Sequence, residues 1–342
     1  MLNSFELRNF APIRHIQCQN LGQINLIIGH NGTGKTILLK ALYSAMRTLE
    51  THGRGNEPRN LSEILADKLY WTFETEKIGD LVSKGADTPL QLKLDLDSHE
   101  FFYEFGKDTT KNIQKLENNI SPRNSNSIYF PTKEVLSLHQ NILQSREIDQ
   151  TFGFDDTYLD LARALRQTPT KGRNYVGFAD SRKQLKNVLE GRVEYDEKSG
   201  RWHFKKGNQK FAIGVTAEGI KKIAILDTLL GNRYLDPQSI VFIDEPESAL
   251  HPIAISKFLD IIVLLAKAGI QFFIASHSYF VIKKLYLAAQ KQQEISIVII
   301  SENTEENHPT WSSSNLSDGL PDNPIIDESI RLYKEEVELV LG

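Results

Sequence analysis

Cysteine is almost missing from this chain. Its 342 residues hold one, Cys18, which excludes an internal disulfide and fits a reducing, cytoplasmic setting. Long apolar runs are missing too. The best window, FLDIIVLLAKAGIQFFIA, is broken by Asp260, Lys267 and Gly269. It reads as helix, turn and strand, so no membrane association is expected. The opening residues, MLNSFELRNF, lack the apolar core of a signal peptide. Excess positive charge is absent. A net charge of −4 gives no global footprint for nucleic acid, although a local basic patch stays open. Lys205, Lys206 and Lys210 cluster in RWHFKKGNQKF, but EYDEKSGRWHF reads as a solvated hairpin turning at Lys198-Ser199-Gly200. No heptad pattern is sustained, so a long coiled coil is excluded. No Ser/His/Asp or Cys/His nucleophile set and no zinc spacing is visible.

What is present begins with GHNGTGKT, the residues Gly29, His30, Asn31, Gly32, Thr33, Gly34, Lys35 and Thr36. The apolar run Ile24, Leu26, Ile27 and Ile28 precedes it and reads as a buried strand. TILLKALYSAMRTLE follows, with Leu38, Leu42, Ala45, Met46 and Leu49 at helical spacing. Strand, Gly-rich loop and helix are the context of a P-loop. Glycines let backbone N–H groups converge on phosphate oxygens, and the helix N-terminus adds partial positive charge. Lys35 reaches the β/γ-phosphates and the Thr36 hydroxyl ligates Mg²⁺ in such a loop.

A P-loop needs a carboxylate, and SIVFIDEPESALHP supplies it. Ile240 to Ile243 make an apolar strand ending in Asp244 and Glu245. An aspartate there holds Mg²⁺, and the next glutamate orients or deprotonates the attacking water. A helix, AISKFLDIIVLLAKAG, and a third strand, IQFFIA, then lead to Ser276-His277-Ser278. His277 is placed to touch a γ-phosphate; a capped turn residue is the alternative.

Four stretches together resemble an ABC-type ATPase of the SMC/RecF/OLD-like group, in the branch of stand-alone bacterial AAA-family ATPases of phage-defence operons. LRNFAPIRHIQ (Leu7 to Gln17) resembles the opening strand of SMC-like heads. GHNGTGKT resembles their Walker A motif, VFIDEPESALHP the Walker B and D-loop of the OLD-like branch, and IASHS the histidine switch. The resemblance implies a P-loop α/β fold, an ABC-ATPase-like head with an antiparallel β subdomain and a short helical insertion. It implies ATP and Mg²⁺ as cofactors and a homodimer or higher oligomer around two nucleotides, each capped by the partner's signature loop. GVTAEGIKKIAILDTLL holds that signature place and resembles the Ala-Glu-Gly variant. Thr216 is the expected N-cap, with Glu218 and Gly219 beside it, while Lys221 and Lys222 support phosphate binding or sit on a wet face. Ser248 and His251 fall in the D-loop and are expected to face the partner subunit. No Q-loop glutamine stands out among Gln91, Gln140 and Gln144.

The organisation expected is one split ATPase domain over residues 1–342, because the two Walker motifs must meet. Residues 1–130 form an N-terminal lobe with Walker A, 131–200 a helical insertion or lid, and 201–342 a C-terminal lobe with signature, Walker B and histidine switch. QLKLDLDSHEFFYEF alternates as an antiparallel strand pair. Its Asp95-Leu96-Asp97 mimics a metal motif, but Leu92, Leu94 and Leu96 point one way and leave the acids in water. GKDTTKNIQKLENNISPRNSNS and WSSSNLSDGLPDNPI read as loops, EISIVIISEN as a strand, and IIDESIRLYKEEVELVLG as an acidic amphipathic helix that packs on a sheet edge or docks a partner. The TOPRIM nuclease domain of OLD nucleases is not expected in the residues after His277. The implied function is an ATP-hydrolysing regulator or scaffold of a separately encoded effector, a nuclease or toxin, in antiphage defence. A RecF/SMC-like ATP-gated DNA-binding repair protein is the alternative, so nucleic acid stays open as a partner.

Overall fold

The computed structural model describes residues 1–168, 174–175, 177–291, 294–303 and 309–341. In chain order its elements are β1 (Leu2–Phe10), β2 (Ile13–Cys18), β3 (Ile24–Ile28), α1 (Lys35–Thr51), α2 (Leu61–Phe73), β4 (Leu90–Leu96), β5 (His99–Phe105), β6 (Lys115–Asn118) and β7 (Ser127–Phe130). Then come α3 (His139–Leu143), α4 (Asp156–Leu165), α5 (Phe178–Leu189), β8 (Arg192–Asp196), β9 (Arg201–Lys206), β10 (Gln209–Ala212) and α6 (Glu218–Gly231). The chain closes with β11 (Ile240–Asp244), α7 (Pro252–Lys267), β12 (Gln271–Ser276), α8 (Tyr279–Lys291), β13 (Ile297–Asn303), β14 (Thr310–Asn315) and α9 (Pro324–Leu341).

Among the described residues the strands form three sheets. The central one has the order β14-β13-β3-β12-β11-β7, all parallel except β14. Every residue of β3, β7, β11 and β12 is buried. Their near-unbroken apolar runs are what a parallel sheet covered on both faces requires. Alternate residues feed two cores. Leu26, Ile243, Ile274 and Ile299 face α4 to α8. Ile27, Phe242, Phe273 and Ile300 face α1 and the antiparallel sheet β2-β1-β4-β5-β6. In that second sheet Leu92 opposes Tyr103 and Leu94 opposes Phe101. Asp95 accepts Asn3 Nδ2 at 2.8 Å and Asp97 pairs with the Met1 amino group, both away from the core.

A charged layer joins α1, α2, α4 and β7. Glu50 is fully buried and accepts Ser127 Oγ–H at 2.6 Å and Ser127 N–H at 2.9 Å, with Arg47 and Arg123 beside it. Asp160 accepts from Tyr43 at 2.7 Å and Lys68 at 2.9 Å. These pairs fix β7 and α4 to the helix that follows the P-loop.

The structure corrects several local expectations. The polar stretch after Phe105 is not all loop, because β6 pairs with β5 there. The serine-rich stretch at 311–315 is the strand β14, paired with β13. The strand pair expected in EYDEKSGRWHF is present as β8 and β9, so β8 lies within residues 131–200. Residues 169–173 and 176 of that segment lie outside the described residues. On α9, Ile326 is buried in the core while Ile330 and Tyr333 are exposed, so only the start of the helix packs on the body of the chain, beside α8. No helix among the described residues is long and apolar enough to cross a membrane.

Candidate functional site

The carboxyl ends of the parallel strands converge, the place where open α/β sheets bind ligands. β3 delivers the loop Gly29 to Gly34, and α1 starts at Lys35. Gly34 precedes it with φ 101°, a conformation that favours glycine. A Cβ there would lie 2.8 Å from Ile13 and 3.1 Å from Pro12, so the β1–β2 hairpin backs the loop. No side chain caps α1, which leaves its first-turn N–H groups for an anion. Lys35 is buried, and its Nζ donates to the carbonyls of Gly29 at 2.8 Å and His30 at 2.7 Å. Burial lowers its pKa against the pull of Asp244 and Glu245. Thr33 Oγ donates to His30 O at 2.9 Å, while Asn31 and Gly32 sit exposed at the mouth.

Asp244 ends β11 beside this loop. Thr36 Oγ donates to it at 3.0 Å, Tyr129 OH at 3.3 Å and Thr132 Oγ at 3.4 Å. Burial raises the Asp244 pKa, and the Thr36 hydrogen bond works against that rise. A buried carboxylate ringed by hydroxyls is a hard-oxygen donor set suited to Mg²⁺. The loop, Lys35, Thr36 and Asp244 therefore fit a magnesium nucleotide.

Glu245 follows in the left-handed region, with φ 49°. Its N–H donates to Ala275 O at 2.9 Å, which holds it against β12. Its Oε1 lies 3.3 Å from His277 Nδ1. Glu247 Oε1 accepts from Ser276 Oγ at 2.8 Å and from His277 N–H at 3.3 Å. The structure thus brings Gly29 to Thr36, Asp244, Glu245 and His277 together at the carboxyl ends of β3, β11 and β12.

The remaining sequence candidates form a second cluster. Thr216 is not the N-cap expected. α6 starts at Glu218 behind Ala217 with no side-chain cap, and Thr216 Oγ turns back to Ala212 O at 3.4 Å. Glu218 pairs with Lys221 at 3.0 Å, and Gly219 packs against Ala249 and Leu250. Ser248 N–H donates to Glu245 O at 3.0 Å. His251 Nδ1 caps α7 by accepting Ile253 N–H at 3.3 Å. Lys221 and Lys222 are buried, which corrects the wet-face alternative.

Sequence reading missed four residues here. Tyr129 and Thr132 flank Asp244 in the stretch SIYFPT, where no glutamine stands. Gln91 instead bonds Glu104, Gln140 bonds Tyr195, and Gln144 bonds Asp149. Glu247 lies in the quoted DEPE run without a role assigned. Glu302, at 1% exposure, accepts His30 N–H at 3.2 Å from the end of β13; nothing in its local sequence signals this.

A family model described as "AAA domain, putative AbiEii toxin, Type IV TA system" matches residues 24–283, most of the chain. The chain belongs to this AAA-domain family. Membership implies use of a nucleotide, typically with Mg²⁺. This AAA domain is 31% identical over 94 residues to the DNA replication and repair protein RecF of Oenococcus oeni, covering 27% of the chain and 23% of RecF. It is 32% identical over 80 residues to the DNA double-strand break repair Rad50 ATPase of Saccharolobus solfataricus, covering 22% of the chain and 9% of Rad50. The matches thus span far less than two thirds of either relative. An SMC head solved with the C-winged helix domain of ScpA superposes with a TM-score of 0.56 at 13% identity, covering 93% of the chain and 98% of that head. An SMC head with an extended coiled coil, bound to the C-terminal domain of ScpA from Pyrococcus furiosus, gives 0.51 at 12% identity and covers 98% of each chain. The fold of the AAA domain is therefore that of an SMC head, a P-loop α/β ATPase with an antiparallel β subdomain, as its sequence predicts.

Proposed function

We propose that this chain binds and hydrolyses ATP with Mg²⁺ as a homodimer or higher oligomer. Its nucleotide state then regulates or scaffolds a separately encoded effector, a nuclease or toxin, in bacterial antiphage defence of the OLD-like type. The protein works in the cytoplasm, and residues 1–342 act as one split ATPase domain. The observation that carries the enzymatic part is the cluster in which Thr36 Oγ lies 3.0 Å from Asp244 and Glu245 lies 3.3 Å from His277, beside an uncapped helix N-terminus. The toxin–antitoxin wording of the family description supports the effector part.

The chain's residues divide the work by position. The loop amides and Lys35 bind the phosphates. Thr36 and Asp244 hold Mg²⁺, which when bound neutralises charge developing on the phosphate oxygens. Glu245 orients the attacking water and takes its proton, and His277 holds the glutamate's outer oxygen and touches the γ-phosphate. Thr216, Glu218 and Gly219 at the start of α6, with Ser248 and His251, face the partner's nucleotide.

Two outcomes follow. Lys35→Ala removes the one cation within the loop, so ATP affinity falls by about a hundredfold or more, read by calorimetric titration; unchanged affinity places the nucleotide elsewhere. Replacing Thr216 and Glu218 by alanine cuts turnover while ATP affinity holds. Gly219 is kept because a Cβ there would meet Leu250 at 2.5 Å. Wild-type turnover in that variant reduces the segment to a helix start.

The second reading is a RecF/SMC-like ATP-gated DNA-binding repair protein, favoured by the named relatives. The net charge of −4 weighs against it. Affinity purification of Glu245→Gln from the native host with ATP and Mg²⁺ separates the two. A stoichiometric protein without DNA supports the effector reading; DNA without a protein partner supports the repair reading.

A further inference from the structure

Lys222 lies one turn into α6 with 8% of its surface exposed. Its Nζ donates to the backbone carbonyl of Glu245 at 3.1 Å. A buried ammonium needs such partners, since an unpaired one is strongly disfavoured. Burial lowers its pKa, and Glu247, Glu245, Asp244 and Glu218 pull the other way. The same carbonyl accepts Ser248 N–H at 3.0 Å, and the Glu245 N–H is taken by Ala275 O at 2.9 Å. Both polar backbone groups of Glu245 are thus fixed by different elements. Its φ of 49° is a conformation a non-glycine residue keeps only where its surroundings over-determine it. Lys222 is one of those determinants.

The start of the helix that carries Lys222 also packs on the far end of the same turn. A Cβ on Gly219 would lie 2.5 Å from Leu250 Cδ2 and 3.3 Å from Ala249 O. Lys221 Nζ adds hydrogen bonds to Glu134 at 3.2 Å, Ser137 at 3.0 Å and Glu218 at 3.0 Å. The start of α6 and the turn after β11 are thus joined by the Lys222 hydrogen bond and by the packing of Gly219 on Leu250.

We infer that Lys222 is a positioning residue: through the Glu245 carbonyl it aims the Glu245 carboxylate, and it ties that aim to the first turn of α6 in the same chain. This rests on the reading of Glu245 as the base in ATP hydrolysis. If the start of α6 caps a partner's nucleotide, Lys222 carries the state of that site to the base of this chain's own site.

The test compares Lys222→Met, which fills similar volume without a donor, with Lys222→Arg and wild type. In Lys222→Met, kcat falls roughly tenfold to a hundredfold while KM and the affinity for a non-hydrolysable ATP analogue stay within about twofold. Lys222→Arg, which donates to the same carbonyl, regains part of that loss. Without nucleotide, hydrogen exchange at residues 245–250 speeds up in Lys222→Met, Ser248 most. Unchanged kcat with unchanged exchange overturns the role of Lys222. So does a parallel loss of kcat and affinity, the mark of general damage. If Lys222→Met does not fold, Lys222→Gln gives the same split. Failure of the ATPase reading shows separately, as equal rates in wild type and Glu245→Gln.

Discussion

Glu245→Gln binds ATP and Mg²⁺ as wild type does and loses turnover by about 10²–10⁴-fold, the range a positioned general base contributes. Glutamine keeps the shape and loses the proton acceptor. The backbone of residue 245 is held by Ala275 O, Ser248 N–H and Lys222, none of which touches the carboxylate. His277 Nδ1 keeps a neighbour at the position now 3.3 Å away. Phosphate release and nucleotide titration on the same preparation separate the two effects. Release at the wild-type rate removes Glu245 from the role of base.

Asp160→Ala destabilises the fold by about 1–3 kcal/mol at pH 7, the cost of leaving the buried Tyr43 hydroxyl without its acceptor while Lys68 keeps Asp156 and Arg47 keeps Glu50. Asp160 is 6% exposed. Its Oδ2 takes the Tyr43 hydroxyl at 2.7 Å and Lys68 Nζ at 2.9 Å, with Arg47 Nε at 3.5 Å. Burial alone raises its pKa, but Lys68, Arg47 and the Tyr43 hydrogen bond outweigh it and hold the carboxyl well below the usual range. The sign follows. A folded-state pKa below the unfolded value of about 3.9 gives stability that is present above that pH and lost as pH falls through the folded value. Denaturant unfolding of the alanine variant checks both parts: reduced stability at neutral pH, and a shallower loss of stability toward acid. A variant within about 1 kcal/mol of wild type contradicts the layer's structural role.

What the sequence made legible follows from short-range physics. The buried runs of β3, β11 and β12, the leucine alternation of β4 and the glycine spacing of the loop are local patterns. They place Asp244, Glu245 and His277 at the ends of β11 and β12, and Lys35 and Thr36 at the start of the helix after β3. What stayed hidden depends on distant partners. β6, Lys-Leu-Glu-Asn, and β14, rich in serine, are edge strands made by pairing with a neighbour rather than by apolar content. Lys221 and Lys222 read as phosphate-binding or wet-face residues until Glu134 and the Glu245 carbonyl come within reach. Thr132 and Tyr129 carry no motif, and only the parallel register of β7 with β11 sets them beside Asp244. The salt-bridged layer around Asp160 joins residues 43, 47 and 68 to residue 160, a span no local pattern reports.

The most direct test of ATP held between two copies is the mass of Glu245→Gln by light scattering, with and without ATP and Mg²⁺, beside a titration of bound nucleotide. The expected result is the monomer mass without nucleotide and at least twice that mass with it, while Lys35→Ala stays monomeric in both. Full nucleotide occupancy with the mass still that of one chain would contradict the proposal.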